Sequence, residues 1–247
     1  MKKRLLWACI ILVLSAAAAV ALWCFLIPQY QKETVMEEGV KITKREPHEE
    51  EPEEPQPPAL LPLIADLRER YNNDHIVGFI QIPNTNIYYP VLQYVDNAFY
   101  LYHDRHGVRT AAGSIFLDYE NNLYKLDDDN TIIYGHNMIA GNKFHNIRYF
   151  HNEEFFRNHT YIILHTPYQE TVWDVFSFFS TTIYFNYLTT NFADRDRFYD
   201  FLLDLQKRSH FETSIELERD DQILILSTCG VWGGIHRYVV AARLRNE

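Results

Sequence analysis

Three residue types that together could run acyl-transfer chemistry stand out: a lone thiol, an arginine close behind it, and an upstream histidine. Cys229 ends the run "QILILSTCG" and is the only cysteine beyond Cys9 and Cys24. On count alone it reads as an inert core thiol or a free nucleophile, and its position must decide between them. Side chains alternate along a strand, so Ile223, Ile225, Ser227 and Cys229 share one face, and Leu224, Leu226 and Thr228 the other. The connection "GVWGGIH" to Arg237 is rich in glycine, as a hairpin turn requires. A hairpin there sets Cys229 beside Arg237, where a guanidinium can favour a thiolate or bind a developing oxyanion. Alone, Arg237 is simply a cation on a strand. His136 in "NTIIYGHNM" follows a strand and a glycine, and an imidazole there can give and take protons near neutrality. With 11 histidines in the chain, one taken singly means little. The pair His103 and His106 in "HDRH" lacks a helix to converge it, so no metal site is assigned.

These residues need a scaffold and a compartment. The chain opens "MKKR" and then carries no charge from Leu5 to Ile27. As a helix that stretch rises about 35 Å, enough to cross a hydrocarbon core of about 30 Å. The basic residues 1–4 precede it, which predicts a cytoplasmic N-terminus, a transmembrane signal-anchor at 5–27 and an extracellular remainder. Residues 28–59 contain "KREPHEEEPEEPQPP", a Pro/Glu-rich spacer too polar to bury a core. Residues 60–247 then form one catalytic-sized domain. Cys9 and Cys24 fall within the span, which leaves Cys229 unpaired outside. The net charge of −10 opposes nucleic-acid binding, which depends on neutralising phosphates.

Within the domain, "LLPLIADLRERY" spaces Leu60, Leu63 or Ile64, Leu67 and Tyr71 as one helical stripe. "KFHNIRYFHNEEFFRNH" predicts one or two short helices with Phe144, Ile147, Phe150 and Phe155 inward. "ADRDRFYDFLLDLQKRSHF" predicts a longer helix on Phe198, Phe201, Leu202 and Leu205. Seven or eight β-branched or aromatic segments, among them "HIVGFIQIP", "GSIFLDY", "TYIILHTP", "ETVWDVFSFFSTT" and "RYVVAARL", predict a mainly antiparallel closed sheet.

"LSTC" at 226–229, Arg237 heading "RYVVAARL", and "TIIYGHNM" closing on His136 together resemble the sortases, membrane-anchored cysteine transpeptidases of Gram-positive bacteria. "YPVLQYVDNAFYLYHD", "GSIFLDYEN" and the long helix before the cysteine strand are similar to the class B branch. The resemblance implies a closed eight-stranded β-barrel with N-terminal helices and that inserted helix. It implies Cys229 as nucleophile, His136 as general acid then base, and Arg237 as oxyanion stabiliser. It further implies that Asn97, Leu101, Tyr134, Ser227 and Thr228 line the substrate groove, with no cofactor. Gly230 stands where some class B members carry an acidic residue. The implied partners are a secreted protein with a C-terminal sorting signal and an accepting amine, from a peptidoglycan precursor or from a pilin. A cysteine peptidase that only hydrolyses, or a barrel kept only for binding, is the competing expectation.

Overall fold

The computed structural model describes residues 58–230 and 234–245; the expected anchor and spacer lie outside them. Among the described residues no helix is long and apolar enough to cross a membrane.

The chain runs α1 (Pro62–Tyr71), β1 (Ile76–Gln81), β2 (Tyr88–Leu92), β3 (Ile115–Leu117) and β4 (Asn130–Tyr134). A 3-10 turn (His145–His151) and α2 (Glu153–Asn158) lead to β5 (Tyr161–His165) and β6 (Glu170–Thr182). Then come α3 (Arg195–Lys207), β7 (Ile223–Cys229) and β8 (His236–Leu244). The strands close a barrel in the order β1-β2-β3-β4-β7-β8-β6-β5. Most neighbours are antiparallel, as the sequence suggests, but β2 with β3 and β4 with β7 run parallel. Those two pairings join segments far apart in the chain, so local patterning carries no sign of them.

Alternation along β7 feeds two cores. Leu224 and Leu226 pack inside the barrel with Trp173, Phe178 and Val240. Ile223 and Ile225 pack outside, beneath Phe198, Leu202 and Leu205 of α3. With both faces covered, a strand reads as an unbroken apolar run, which is what "ILIL" is. The Asp194 carboxylate caps α3, accepting from the backbone N–H of Asp196 at 2.9 Å. The buried Ser177 hydroxyl pins the helix to β6 by donating to the Leu205 carbonyl at 2.6 Å. Phe144, Ile147 and Phe150 are buried as expected, but in α2 the buried residue is Phe156, and the expected Phe155 is only half-buried. The interruption at Asn152, which caps α2, shifts the register of the stripe by one residue.

The same barrel rim collects the ends of several strands. Gly135, just past β4, sits where an added Cβ would strike Ile115 and lie 2.8 Å from the Phe144 ring. Gly135→Ala is therefore expected to lower stability by about 1–3 kcal/mol, the usual range for overpacking. A urea midpoint equal to that of the unaltered protein would show that this rim tolerates more space than the packing indicates.

Candidate active site

Backbone register alone brings the three chemistry-bearing positions together. In the antiparallel β7–β8 hairpin, Cys229 pairs directly with Arg237. In the parallel β4–β7 pair, Tyr134 is opposite Ser227, and the ladder continues as the Gly135 N–H donates to the Ser227 carbonyl at 3.2 Å. Two residues beyond that pair on each strand stand His136 and Cys229. Adjacent strands lie about 4.8 Å apart, so His136, Cys229 and Arg237 occupy consecutive places on one rim.

His136 is held from its far side: its Nε2 lies 2.8 Å from the Leu101 carbonyl oxygen. A carbonyl can only accept, so Nε2 carries the proton and Nδ1 is left to exchange one. Leu101 is itself fixed by Gly113, whose φ of +51° is open to glycine. A Cβ there would run into the Leu101 carbonyl and approach that of Tyr100 to 2.8 Å. On the other flank, the loop after His136 folds back as the Phe144 N–H donates to the His136 carbonyl at 3.0 Å. His145 braces this loop, its Nδ1 3.0 Å from Asn137 Oδ1, and burial pushes its pKa below the ordinary histidine value. Arg237 is half-buried, with Nη1 donating to the carbonyls of Gly234 (2.7 Å) and His236 (2.8 Å). That clamp orients the guanidinium and leaves Nε and Nη2 as donors for a bound oxygen.

A groove of about 480 Å³ opens at this rim, lined by His136 and Arg237 and by Asn97, Leu101, Tyr134, Ser227 and Thr228. All five residues expected along the groove are thus on its wall. Cys229 is placed by its backbone position at the end of β7, between the two flanking residues. His103, given no role from the sequence, stacks its ring on Phe99 at 4.1 Å and has its Nδ1 2.7 Å from the Phe99 carbonyl oxygen.

Two parts of the site escaped the sequence reading. One is Asp118, buried at the end of β3, whose Oδ2 accepts from Tyr134 Oη at 2.7 Å and Asn97 Nδ2 at 2.9 Å. Burial, joined by the Asp118 charge, pushes the Tyr134 hydroxyl far above the usual tyrosine range, so it stays a neutral donor. The acidic residues of "LDYEN" were the available signal. The other is the loop between β6 and α3, whose Ile183, Phe185 and Leu188 form an apolar wall. Its Tyr187 hydroxyl lies 2.9 Å from Ser227 Oγ, and the Ile183 N–H donates to the Ile235 carbonyl at 2.9 Å. Asn130 Nδ2 anchors the loop's far end through the carbonyls of Tyr187 (3.1 Å) and Thr189 (2.9 Å).

A closed eight-stranded barrel with cysteine, histidine and arginine positions on one rim, beside a half-apolar groove, is the frame of a cysteine acyl-transfer enzyme. Residues 80–245 match the family model described as Sortase domain. The chain is 36% identical over 166 residues to sortase B of Listeria monocytogenes and 34% over 161 residues to sortase B of Staphylococcus aureus. These matches take in 67% and 65% of this chain, and span 66% and 65% of the length of those relatives. Among solved structures, a Bacillus anthracis protein similar to sortase B superposes with a TM-score of 0.70 at 35% identity. It covers 76% of this chain and 85% of its own. The Staphylococcus aureus sortase B–substrate complex does so with 0.71 at 30% identity, over 76% of this chain and 87% of its own. This chain belongs to the sortase family, and its relatives place it with class B.

Asp118→Ala would remove the acceptor of both the Tyr134 hydroxyl and the Asn97 amide in a half-buried wall. The expected loss is about 3 kcal/mol, since each unsatisfied buried group costs about 1–3 kcal/mol. Tyr134→Phe, which removes a single donor, should lose about 1 kcal/mol. Denaturant titration of the two variants checks the ranking, and equal midpoints would mean that Asp118 does not organise the wall.

Proposed function

We propose that this protein is a class B-like sortase that cleaves a C-terminal sorting signal after threonine and joins the shortened protein to a cell-wall peptidoglycan amine. The observation carrying this reading is that His136 lies two residues past the Tyr134–Ser227 pair, at the end of the sheet where Cys229 pairs with Arg237.

The reaction runs in two balanced halves. The Cys229 thiolate adds to the threonine carbonyl carbon, and the oxyanion forms next to the free guanidinium donors of Arg237. The C–N bond then breaks as His136 delivers a proton to the leaving amine, and a thioester remains. The acceptor amine attacks that thioester, His136 takes its extra proton, and the thiolate departs as the new amide forms. The thioester retains the acylating power of the cleaved bond, so no nucleotide is consumed. The hydrogen-bonded Tyr134–Asp118–Asn97 wall and the apolar loop residues give the peptide one polar and one dry side. Water is thereby displaced from the thioester, which favours amine over hydrolysis.

Location follows from the stretch at 5–27, which in this reading anchors the chain with its catalytic domain on the outer face. The spacer at 28–59 lifts the domain from the bilayer. Substrates confined to the same surface meet it at raised effective concentration.

The test uses the full-length protein in detergent, a panel of sorting-signal peptides, and either a glycine-peptide or a lysine-side-chain amine. Amide product with the glycine amine is expected, and Cys229→Ala should abolish it with folding intact. His136→Ala should block both halves. Arg237→Lys should remain at least about a hundredfold slower, because lysine lacks the planar fork and one lost oxyanion donor costs about that much. Product only with the lysine amine would make this a pilin-joining enzyme, and hydrolysis at saturating donor would make it a peptidase.

A further inference from the structure

A second concavity, about 180 Å³, opens on the same rim and contains Arg105, His106 and Lys143 against a single carboxylate, Asp104. Its floor is formed by Tyr89 and Pro90 of β2 and by Ser114 and Ile115 at the start of β3. Antiparallel register carries Ile115 opposite Gly135 and Ser114 opposite His136, because Phe116 pairs with Tyr134. Parallel register likewise puts Pro90 beside Ser114, because Val91 pairs with Ile115. The pocket is thus one to two strands from His136, roughly 5–10 Å, on the side away from the β6–α3 loop.

Some cations among the described residues are paired with carboxylates, and others, such as Arg68, Arg70, Arg109 and Arg148, are not. Arg157, Arg195, Arg208, Arg219 and Arg245 each form a salt bridge with an aspartate or glutamate. Among the described residues, neither Arg105 nor Lys143 takes part in one. Asp104 is committed to its own turn, its Oδ1 accepting from the backbone N–H of His106 (2.9 Å) and Val108 (3.0 Å). The Arg105 guanidinium is steadied over the Tyr71 ring, 4.4 Å from its centroid. Lys143 is half-buried, and burial first, then Arg105, hold its pKa below the ordinary lysine value, with Asp104 opposing them. Its backbone adopts φ +58°, a left-handed conformation rare for a long side chain, and its N–H donates to Tyr89 Oη at 3.0 Å. A half-buried lysine beside an arginine, with the one nearby carboxylate engaged by its own turn, favours an anionic ligand.

We propose that this pocket binds a carboxylate or phosphate group of the acceptor substrate, presenting its amine to His136 and Cys229 from the β2–β3 side of the rim. The inference rests on the transpeptidase reading for the acceptor's role, while the anion pocket itself does not. An extended tripeptide spans about 10 Å, which matches the separation from pocket to His136.

Two measurements on the full-length protein test it. Inorganic phosphate, followed by phosphorus NMR line broadening, should bind the unaltered protein and Cys229→Ala equally. Binding should weaken about tenfold or more in Lys143→Met and in Arg105→Gln, as loss of one charge-assisted contact implies. Competition by acetate tells a pocket that accepts carboxylates from one restricted to phosphates. In transfer assays, triglycine should show a lower KM than triglycinamide. Lys143→Met should raise KM for triglycine about tenfold, leaving the amide's KM and the rate of thioester formation unchanged. Phosphate broadening unaltered in both variants overturns the pocket. Equal KM values for the two acceptors, or an equal change for both in Lys143→Met, overturn its role in acceptor binding. No transfer to either acceptor by the unaltered protein sinks the transpeptidase reading and the acceptor role with it, and the phosphate result still decides the pocket.

Discussion

The parallel hydrogen-bonded ladder between β4 and β7 is the constraint on which the site depends. The β7–β8 hairpin is local and brings Cys229 to Arg237 without help. His136 has no such local route. It reaches the same rim because Asn130 through Tyr134 pair in order with Ile223 through Ser227, and because Gly135 extends that ladder. A slip of one residue would turn His136 to the opposite face and separate it from Cys229. Both strands are buried on both sides, which makes such a slip costly and the register secure.

Around that ladder, hydrogen bonds settle what the backbone leaves open. The Leu101 carbonyl decides which imidazole nitrogen is protonated, and Gly113 permits that carbonyl its place. The carbonyls of Gly234 and His236 take one arm of Arg237. Asp118 locks Tyr134 and Asn97 into one wall of the groove, and Tyr187 ties the opposite wall to Ser227. These contacts hold the groove ready in the free protein, so little ordering is needed when a peptide arrives.

Much of the barrel was legible in the chain. The eight segments read as strands all form strands, and the helix expected around Phe198 to Leu205 is α3. Pairing of Cys229 with Arg237 was also readable, since a short glycine-rich link between two apolar runs admits little else. The meeting of His136 with Cys229 was not, because parallel pairing across about ninety residues leaves no local trace. It came from resemblance. Asp118 and the loop at 183–188 were missed for a related reason: their partners lie far along the chain, and a buried carboxylate accepting two side-chain donors looks in sequence like any surface acid. Phe155 and Phe156 show the smaller failure, in which a single cap residue shifts a helical stripe.

Proximity of positions 136 and 229 can be measured without substrate. Cα atoms of bridged cysteines lie about 4.4–6.8 Å apart, which neighbouring strands in register satisfy. A His136→Cys variant, mildly oxidised, alkylated and mapped by tandem mass spectrometry, should yield a peptide pair linked from position 136 to Cys229. A folded variant in which those two thiols are alkylated separately would contradict the shared rim on which the whole account stands.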